Sequence, residues 1–395
     1  MKKMDNIKIL DCTLRDGGYY NNWNFDLETV KKYLSAMKDS GVNVVELGYR
    51  FPPTSSFLGP YAYCSEDFLG LLALPNNLEY SVMVDESGIS NYKYGMDVFF
   101  NRYFVPRDSS VISIVRVAVH QNRVIKAKEI CIKFQELGYK VCLNIMQIHS
   151  CSSQDIENIL IEVSSWDCIN TFYFADSLGS LRVKQVEKIA NSIKRKWNGD
   201  IGFHAHNNCN AALENTIAAY KSGCSWIDAT VNGMGRGAGN TSTEMLLIEL
   251  MNGENNFSHL NKLFSLVLNE FASLKEKYKW GGSLLYQLAA SYKVHPTYIQ
   301  NMLSHTKYDT NSLLDGIKHL SENNGHKYSD EKLHEAYSEK KQVEGTSNLS
   351  KYFLGKKLLI IGPGKSVDEY KEILELKIKT QNFIVLSTNY DMCLN

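Results

Sequence analysis

The sequence predicts a (β/α)8 barrel, a TIM barrel, with a helical C-terminal extension and a small terminal α/β (βαβ) segment. Three observations predict it. Eight short β-branched or apolar runs alternate with longer amphipathic segments between residue 6 and about residue 250. Several of those segments end in glycine just before the next run, as a helix C-cap leading into a strand does. Polar residues gather at the C-terminal ends of the runs, where barrels of this kind keep their reactive groups. An open doubly wound sheet usually has fewer strands and a glycine-rich first crossover, and fits less well.

The strands are expected at residues 7–11 (IKILD), 43–49 (NVVELGY), 80–85 (YSVMVD), 111–119 (VISIVRVAV), 140–146 (KVCLNIM), 171–176 (TFYFAD), 201–206 (IGFHAH) and 226–231 (WIDATV). Between them, stretches such as LETVKKYLSAMKDSG, VIKAKEICIKFQELG and AALENTIAAYKSG repeat apolar residues at helical spacing. Residues 50–75 read as a long loop with proline and aromatic residues, and long loops at this face usually carry function. The barrel is placed at residues 1–254. From 255 to 345 the pattern is helical without strands. Residues 346–395 read as strand, glycine-rich turn, helix and strand, a partial α/β unit. Its IIGPGKSV is not a P-loop, because Leu359 stands where the first glycine would be, although phosphate binding is weighed for that turn.

Composition narrows the function classes. Of 395 residues, 44% are hydrophobic and 22% charged, the balance of a globular rather than a disordered chain. Lys plus Arg and Asp plus Glu both total 43, so overall charge argues for no nucleic-acid footprint. No apolar run approaches the ~18 residues of a membrane span, and the N-terminus lacks the apolar segment of a secretory signal. Nine single cysteines without a C-x-x-C pair fit a reduced, cytoplasmic setting. The expected partners are small molecules, and a homo-oligomer is expected.

The strand ends carry Arg15 and Asp16, Glu46 and Tyr49, Arg116 and His120, Asn144 and Gln147, Asp176 and Ser177, His204 and His206, and Asn232 with Asn240 nearby. A charge at the end of a buried strand must be paired or it costs several kcal/mol. Strand period two puts His204 and His206 on one face, ~6.6 Å apart along the chain, where two imidazoles can share a metal ion. Asp16 would complete a two-His, one-carboxylate set with open positions. The plainer alternative is a pair of histidines hydrogen-bonded at a strand end.

The order of TLRDG after the first strand, FHAHNN on the seventh and NGMGRGAGN after the eighth resembles the DRE-TIM metallolyase superfamily over residues 6–250. DCTLRDGG, VVELGY, FADSLGS and DATVNGMGRGAGN look most like its 4-hydroxy-2-oxovalerate aldolase branch. The resemblance implies that Asp16, His204 and His206 hold a divalent ion, with Asn240 near its shell. The ion is expected to be Mn²⁺, with Mg²⁺, Co²⁺ or Zn²⁺ as alternatives. It further implies a carbon–carbon lyase that forms or cleaves a 4-hydroxy-2-oxo acid through a pyruvate enolate, with pyruvate and an aldehyde as small-molecule substrates.

Arg15 beside a metal ligand would stabilise the developing oxyanion, unless it only pairs with Asp16 or Glu46. Gly17 and Gly18 are expected to let the backbone turn tightly. Glu46, Asn144 and Asp176 are expected to orient substrate or metal ligands, and Ser177 to touch the pyruvate carboxylate. The glycines of the loop GMGRGAGN are expected to offer N–H groups to an anionic oxygen. Tyr278, in the helical extension, is matched to a tyrosine that the aldolases bring to the site.

One departure bears on the aldehyde half. Three residues after the metal-binding aspartate the aldolases usually place a histidine, the candidate base for the 4-hydroxyl, and this chain has Tyr19. A phenol of ordinary pKa ~10 is a poor base near neutrality. His120 and His149 are weaker substitutes. Two other readings stand beside the aldolase: an acyl-CoA-dependent lyase or Claisen-type synthase of the same superfamily, and a non-catalytic barrel scaffold.

Overall fold

A computed structural model of the chain describes residues 7–54, 56–251, 256–304, 309–338, 350–362, 366–381 and 383–387. The described residues up to Ser338 form one compact unit, and those after Glu339 a second.

In the first unit eight parallel strands close into a barrel in sequence order: β1 (Lys8–Asp11), β2 (Val44–Tyr49), β3 (Glu79–Asp85), β4 (Ile114–His120), β5 (Lys140–Met146), β6 (Thr171–Asp176), β7 (Asp200–Ala205) and β8 (Trp226–Ala229). Closure is made by β1 pairing with β8, Leu10 opposite Asp228. Each expected strand is present, with ends shifted by a few residues.

The period of two sorts each strand into an outward and an inward set. Outward-facing Ile9, Val45, Val82, Val117, Leu143, Phe172, Phe203 and Ile227 join the main core shared with the surrounding helices. The inward set is layered along the barrel axis. Leu10, Cys12, Val44, Ile114, Cys142, Tyr173 and Trp226 make an apolar plug. Two residues further along their strands stand Glu46, Arg116, Asn144, His204 and Asp228, all buried. A pocket opens above them.

The segment after β1 does not turn on its glycines. It winds into two short helices, Thr13–Asp16 and Gly18–Asn21, and Gly17 has φ −68°, an ordinary helical value. What excludes a side chain is space. A Cβ on Gly17 would lie 2.6 Å from the Thr13 carbonyl oxygen, and one on Gly18 would lie 2.1 Å from Trp23 Cδ1. Gly18 admits the Trp23 ring, whose Nε1 donates to the Arg15 carbonyl at 2.8 Å, and Gly17 lies against Thr13 and Met234. Arg15 and Asp16 are thereby fixed in a helical turn at the C-terminal end of β1.

The helical region after the barrel buries Leu260, Leu263, Leu266 and Phe271 in the main core. Helices Leu284–Ser291, Pro296–Ser304 and Thr310–Glu322 form a second core that includes Ala238 of the loop after β8. The extension is thus anchored on the loop that follows the eighth strand, at the pocket end of the barrel. The second unit contains a parallel pair, β9 (Lys357–Ile361) and β10 (Phe383–Ser387), joined through helix Lys371–Gln381. Of the Gly-Pro-Gly turn between them, at residues 362–364, Pro363 and Gly364 lie outside the described residues. No helix among the described residues is long and apolar enough to cross a membrane.

Candidate active site

At the C-terminal ends of the strands lies a cavity of about 260 Å³ lined by Arg15, Asp16, Tyr19, Tyr49, Phe51, Met83, Asp85, Ala118, Asn144, Met146, Ala175, Ser177, His204, His206 and Arg236. These come from six of the eight strands and from the loops after β1, β2, β6, β7 and β8, which only barrel closure can bring together.

Asp16, His204 and His206 each offer a ligand atom, all within 4.8 Å of one another. Asp16 Oδ2 is 3.8 Å from His204 Nε2 and 4.0 Å from His206 Nε2. The imidazoles, with centroids 5.1 Å apart, stand nearly perpendicular. Buried His204 Nε2 has no hydrogen-bond partner. Burial pushes His206 down to about 3, so its ring is neutral and its lone pair available. Burial works against the Asp16 carboxylate, yet Arg15 and the two histidines hold its pKa well below the usual range. The neutral His206 ring, a carboxylate and the orphaned His204 nitrogen, all near a common point, fit a divalent cation.

Beneath this triad runs a closed circuit of buried ion pairs. Arg15 Nη1 holds Asp16 Oδ1 at 2.9 Å and its Nε holds Glu46 Oε2 at 2.8 Å. The same Glu46 oxygen takes Arg116 Nη1 at 3.1 Å, and Arg116 Nη2 reaches Asp228 Oδ2 at 2.6 Å. Asp228 Oδ2 also accepts from His204 Nδ1 at 2.9 Å, which returns the circuit to Asp16. That bond assigns the Nδ1–H tautomer and leaves Nε2 as the open lone pair. Three carboxylates against two guanidiniums leave one negative charge in a buried site, which favours a cation above it. Tyr173 lies under Arg116, its ring centroid 4.3 Å from the guanidinium carbon.

The structure places the expected residues as follows. Arg15 makes both of the ion pairs weighed for it, and its Nη2 has no hydrogen bond among the described residues. Asn240 donates its amide to Asp16 Oδ2, and its Oδ1 is buried without a partner. Asn144 lines the cavity with an unpartnered Oδ1, and Ser177 Oγ accepts from the Gln147 N–H at 3.0 Å. Tyr19 lines the cavity, its hydroxyl 3.0 Å from that of Tyr49.

Others are not where the sequence suggested. Glu46 is off the cavity wall and bridges the two arginines, leaving it no exposed surface from which to orient a substrate. Asp176 braces its own loop, accepting from the Ser180 and Leu181 N–H groups at 3.1 and 2.9 Å, and burial raises its carboxyl to about 6. Tyr278 stacks on Tyr20 outside the cavity, 5.9 Å between centroids, because its helix ends there at left-handed Lys279. The extension instead brings buried Tyr286 to Tyr20, whose hydroxyl donates to the Gly237 carbonyl at 2.9 Å. In the loop after β8, the N–H groups of Gly233 and Gly239, with those of Met234, Ala238 and Asn240, are committed within the fold, whereas those of Gly235 and Gly237 have no hydrogen bond among the described residues. Gly239, at φ +82°, lets that loop fold on itself, since a Cβ there would sit 2.0 Å from the Gly233 carbonyl oxygen.

Sequence reasoning did not assign Asp228, Arg236 or the joining role of Arg116. A signal existed for two of them. Arg116 in IVRVAV and Asp228 in WIDA are lone charges inside apolar strands, and such charges must find each other.

A family model described as HMGL-like matches residues 108–267. A 4-hydroxy-2-oxovalerate aldolase from Pelotomaculum thermopropionicum is 29% identical over 246 residues, 62% of this chain and 70% of that protein. The crystal structure of the N-terminal domain of a Bacteroides vulgatus protein described as an aldolase superposes with a TM-score of 0.66 at 28% identity, covering 78% of this chain and 99% of the other. The barrel is similar to the HMGL-like, DRE-TIM proteins, whose family model matches its second half. The hydroxymethylglutaryl-CoA lyase of Bacillus subtilis, at 16% identity and a TM-score of 0.51 over 71% of this chain and 96% of its own, shares the fold. The chain is similar to the aldolase-named relatives along a little under two thirds of its length.

Proposed function

We propose that the protein is a divalent-metal-dependent aldolase that forms or cleaves a 4-hydroxy-2-oxo acid through the enolate of pyruvate. The observation that carries this reading is the convergence of Asp16, His204 and His206 on one point with Arg15 beside them. A divalent ion held by these three residues, Mn²⁺ by preference, supplies Lewis acidity toward the 2-oxo and carboxylate oxygens of the bound acid.

The chain's own groups do the rest. Arg15 is pinned by Glu46 and Asp16 through Nε and Nη1, so Nη2 is oriented in advance toward negative oxygen and needs no reorganisation when charge develops. Asp228 holds His204 in the tautomer that leaves Nε2 open. Ser177 and Asn144 present polar atoms on the wall where the carboxylate of pyruvate binds. Tyr19 handles the proton of the 4-hydroxyl: in condensation its Oη protonates the aldehyde oxygen. Tyr49, whose pKa burial raises well above the usual phenol value, keeps its proton, and its hydroxyl lies 3.0 Å from that of Tyr19. A phenol so supported replaces the imidazole that the related aldolases place here. Phe51, stacked on Tyr49 with centroids 4.2 Å apart, and Met83 keep water from the enolate.

The test is the proton NMR signal of the pyruvate methyl group in D₂O with enzyme and Mn²⁺. Metal-dependent loss of that signal, slowed roughly 100-fold or more in Arg15→Ala, is the expected result. Exchange into acetyl-CoA in its place would transfer the protein to the acyl-CoA branch, and exchange into neither would leave a scaffold.

A further inference from the structure

We propose that Arg236 binds an anionic group on the acceptor, so that the aldehyde partnering pyruvate is a short one bearing a carboxylate or a phosphate. The inference rests on the aldolase reading above and extends it to the second substrate.

Arg236 rises from the loop between β8 and the helix Thr243–Leu250 and lines the cavity. Its guanidinium carbon lies 5.2 Å from the centroid of the Tyr19 ring. No ion pair or hydrogen bond engages its side chain among the described residues, and its Nε is buried without an acceptor. The other arginines in or beneath the barrel mouth behave otherwise: Arg15, Arg50, Arg116 and Arg123 each hold a carboxylate. A buried donor without an acceptor is destabilising, and a guanidinium kept in that state on a cavity wall is suited to an acceptor that arrives with a ligand.

Charge bookkeeping assigns that ligand to the second substrate. Asp16, Glu46 and Asp228 against Arg15 and Arg116 leave a charge of −1. A divalent ion changes this to +1, and the carboxylate of pyruvate cancels it. Arg236 then remains as a cation that no carboxylate pairs among the described residues. Asp85, the other charged residue on the wall, has its Oδ2 engaged by Ser87 Oγ and the Gly88 N–H, and no ion pair joins it to Arg236. Position agrees with charge. Tyr19 meets the aldehyde oxygen, and Arg236 lies against the same ring, so a chain extending beyond the aldehyde carbon runs toward the guanidinium.

The experiment measures carbon–carbon bond formation with saturating pyruvate and Mn²⁺ for succinic semialdehyde, glyceraldehyde 3-phosphate and butanal, in wild type, Arg236→Gln and Arg236→Lys. We expect wild type to favour one of the two anionic aldehydes over butanal by roughly 10- to 100-fold in kcat/KM, the size of a charge-assisted contact, and the favoured one tells carboxylate from phosphate. Arg236→Gln should collapse that ratio to within about threefold of unity, mainly through KM, and Arg236→Lys should restore part of it. A wild-type ratio near one, or a ratio that Arg236→Gln leaves intact, overturns the proposal. So does a variant that loses pyruvate methyl exchange and bond formation in parallel, since Arg236 would then serve the donor. Absence of methyl exchange in wild type refutes the aldolase reading itself and this inference with it, whereas exchange without an anionic preference refutes the inference alone.

Discussion

Replacing Asp228 by Asn probes the link between the buried circuit and the metal triad. One oxygen, Oδ2, accepts from both His204 Nδ1 at 2.9 Å and Arg116 Nη2 at 2.6 Å, while Oδ1 is buried and unpartnered. An amide can therefore place its oxygen where Oδ2 was and its NH2 in the vacant direction, so shape survives and only charge is lost. Arg116 is then left with Glu46 as its sole carboxylate, which Arg15 already shares. Removing one partner of a buried pair costs about 3–5 kcal/mol, an upper bound here because the amide oxygen still accepts. The circuit's charge rises from −1 to zero, and His204 loses the carboxylate that makes it a better donor. Loss of such an outer carboxylate weakens metal affinity roughly 10- to 100-fold, about 1.4–2.8 kcal/mol. Calorimetric titration of Mn²⁺ into the folded variant at pH 7, beside urea unfolding, reads both effects. A fall in stability with unchanged Mn²⁺ affinity would refute the reasoning, because Asp228 would then serve the fold alone.

Three further outcomes follow from the geometry. Gly18→Ala drives a methyl into the Trp23 ring and should lower stability by about 1–3 kcal/mol in urea unfolding; a neutral result would show that Trp23 can move away freely. Tyr19→Phe should reduce carbon–carbon bond formation by roughly 10²- to 10⁴-fold, and more than it reduces pyruvate methyl exchange, since it removes the proton from the aldehyde side only. The metal-free protein should lose stability as pH falls from 6.5 toward 4.5. Burial holds His206 at about 3 and His149 at about 4, so below 6.5 the unfolded chain takes up protons that the folded chain refuses, about 1.4 kcal/mol per pH unit for each fully shifted imidazole. Asp176, raised to about 6, acts in the opposite sense between 6 and 3.8, as do Asp11 and Glu244, which burial also raises, while burial lowers His120 and His295 alongside the first two imidazoles. A flat profile in urea midpoints over this range would contradict the assignment of neutral buried rings.

How much of this was legible in the sequence depends on the distance over which each feature is set. The strands were readable because alternation between apolar runs and amphipathic helices is local, and the pairing of His204 with His206 because period two is local. Asp16 joined them through the expected barrel, at the end of whose first strand it stands, and through the resemblance, since nothing in residues 11–25 alone says where β7 will lie. The Glu46–Arg116–Asp228 bridge needed barrel closure, which brings β2, β4 and β8 onto one interior layer; the sequence announced lone charges in apolar strands but not their partners. Gly17 and Gly18 were read as conformational freedom, whereas the requirement is room: for Thr13 and Met234 at Gly17, and at Gly18 for the Trp23 ring, an aromatic five residues ahead whose position no turn rule supplies. Tyr278 failed for a related reason. The helix ends at Lys279 and the chain turns through Trp280, whose Nε1 donates to the Asn232 carbonyl at 2.9 Å, so a different helix delivers Tyr286. Arg236 was one letter in a glycine-rich loop. That no ion pair engages it among the described residues became visible only once the fold was in place.

The most direct measurement is the number of Mn²⁺ ions bound per chain, by electron paramagnetic resonance of free Mn²⁺ during titration, for wild type and for Asp16→Asn, His204→Ala and His206→Ala. If these three side chains grip one ion, wild type should bind a single tight equivalent and each variant should lose it while keeping a cooperative unfolding transition. Tight binding that survives all three substitutions, or a wild type that binds none, would contradict the account.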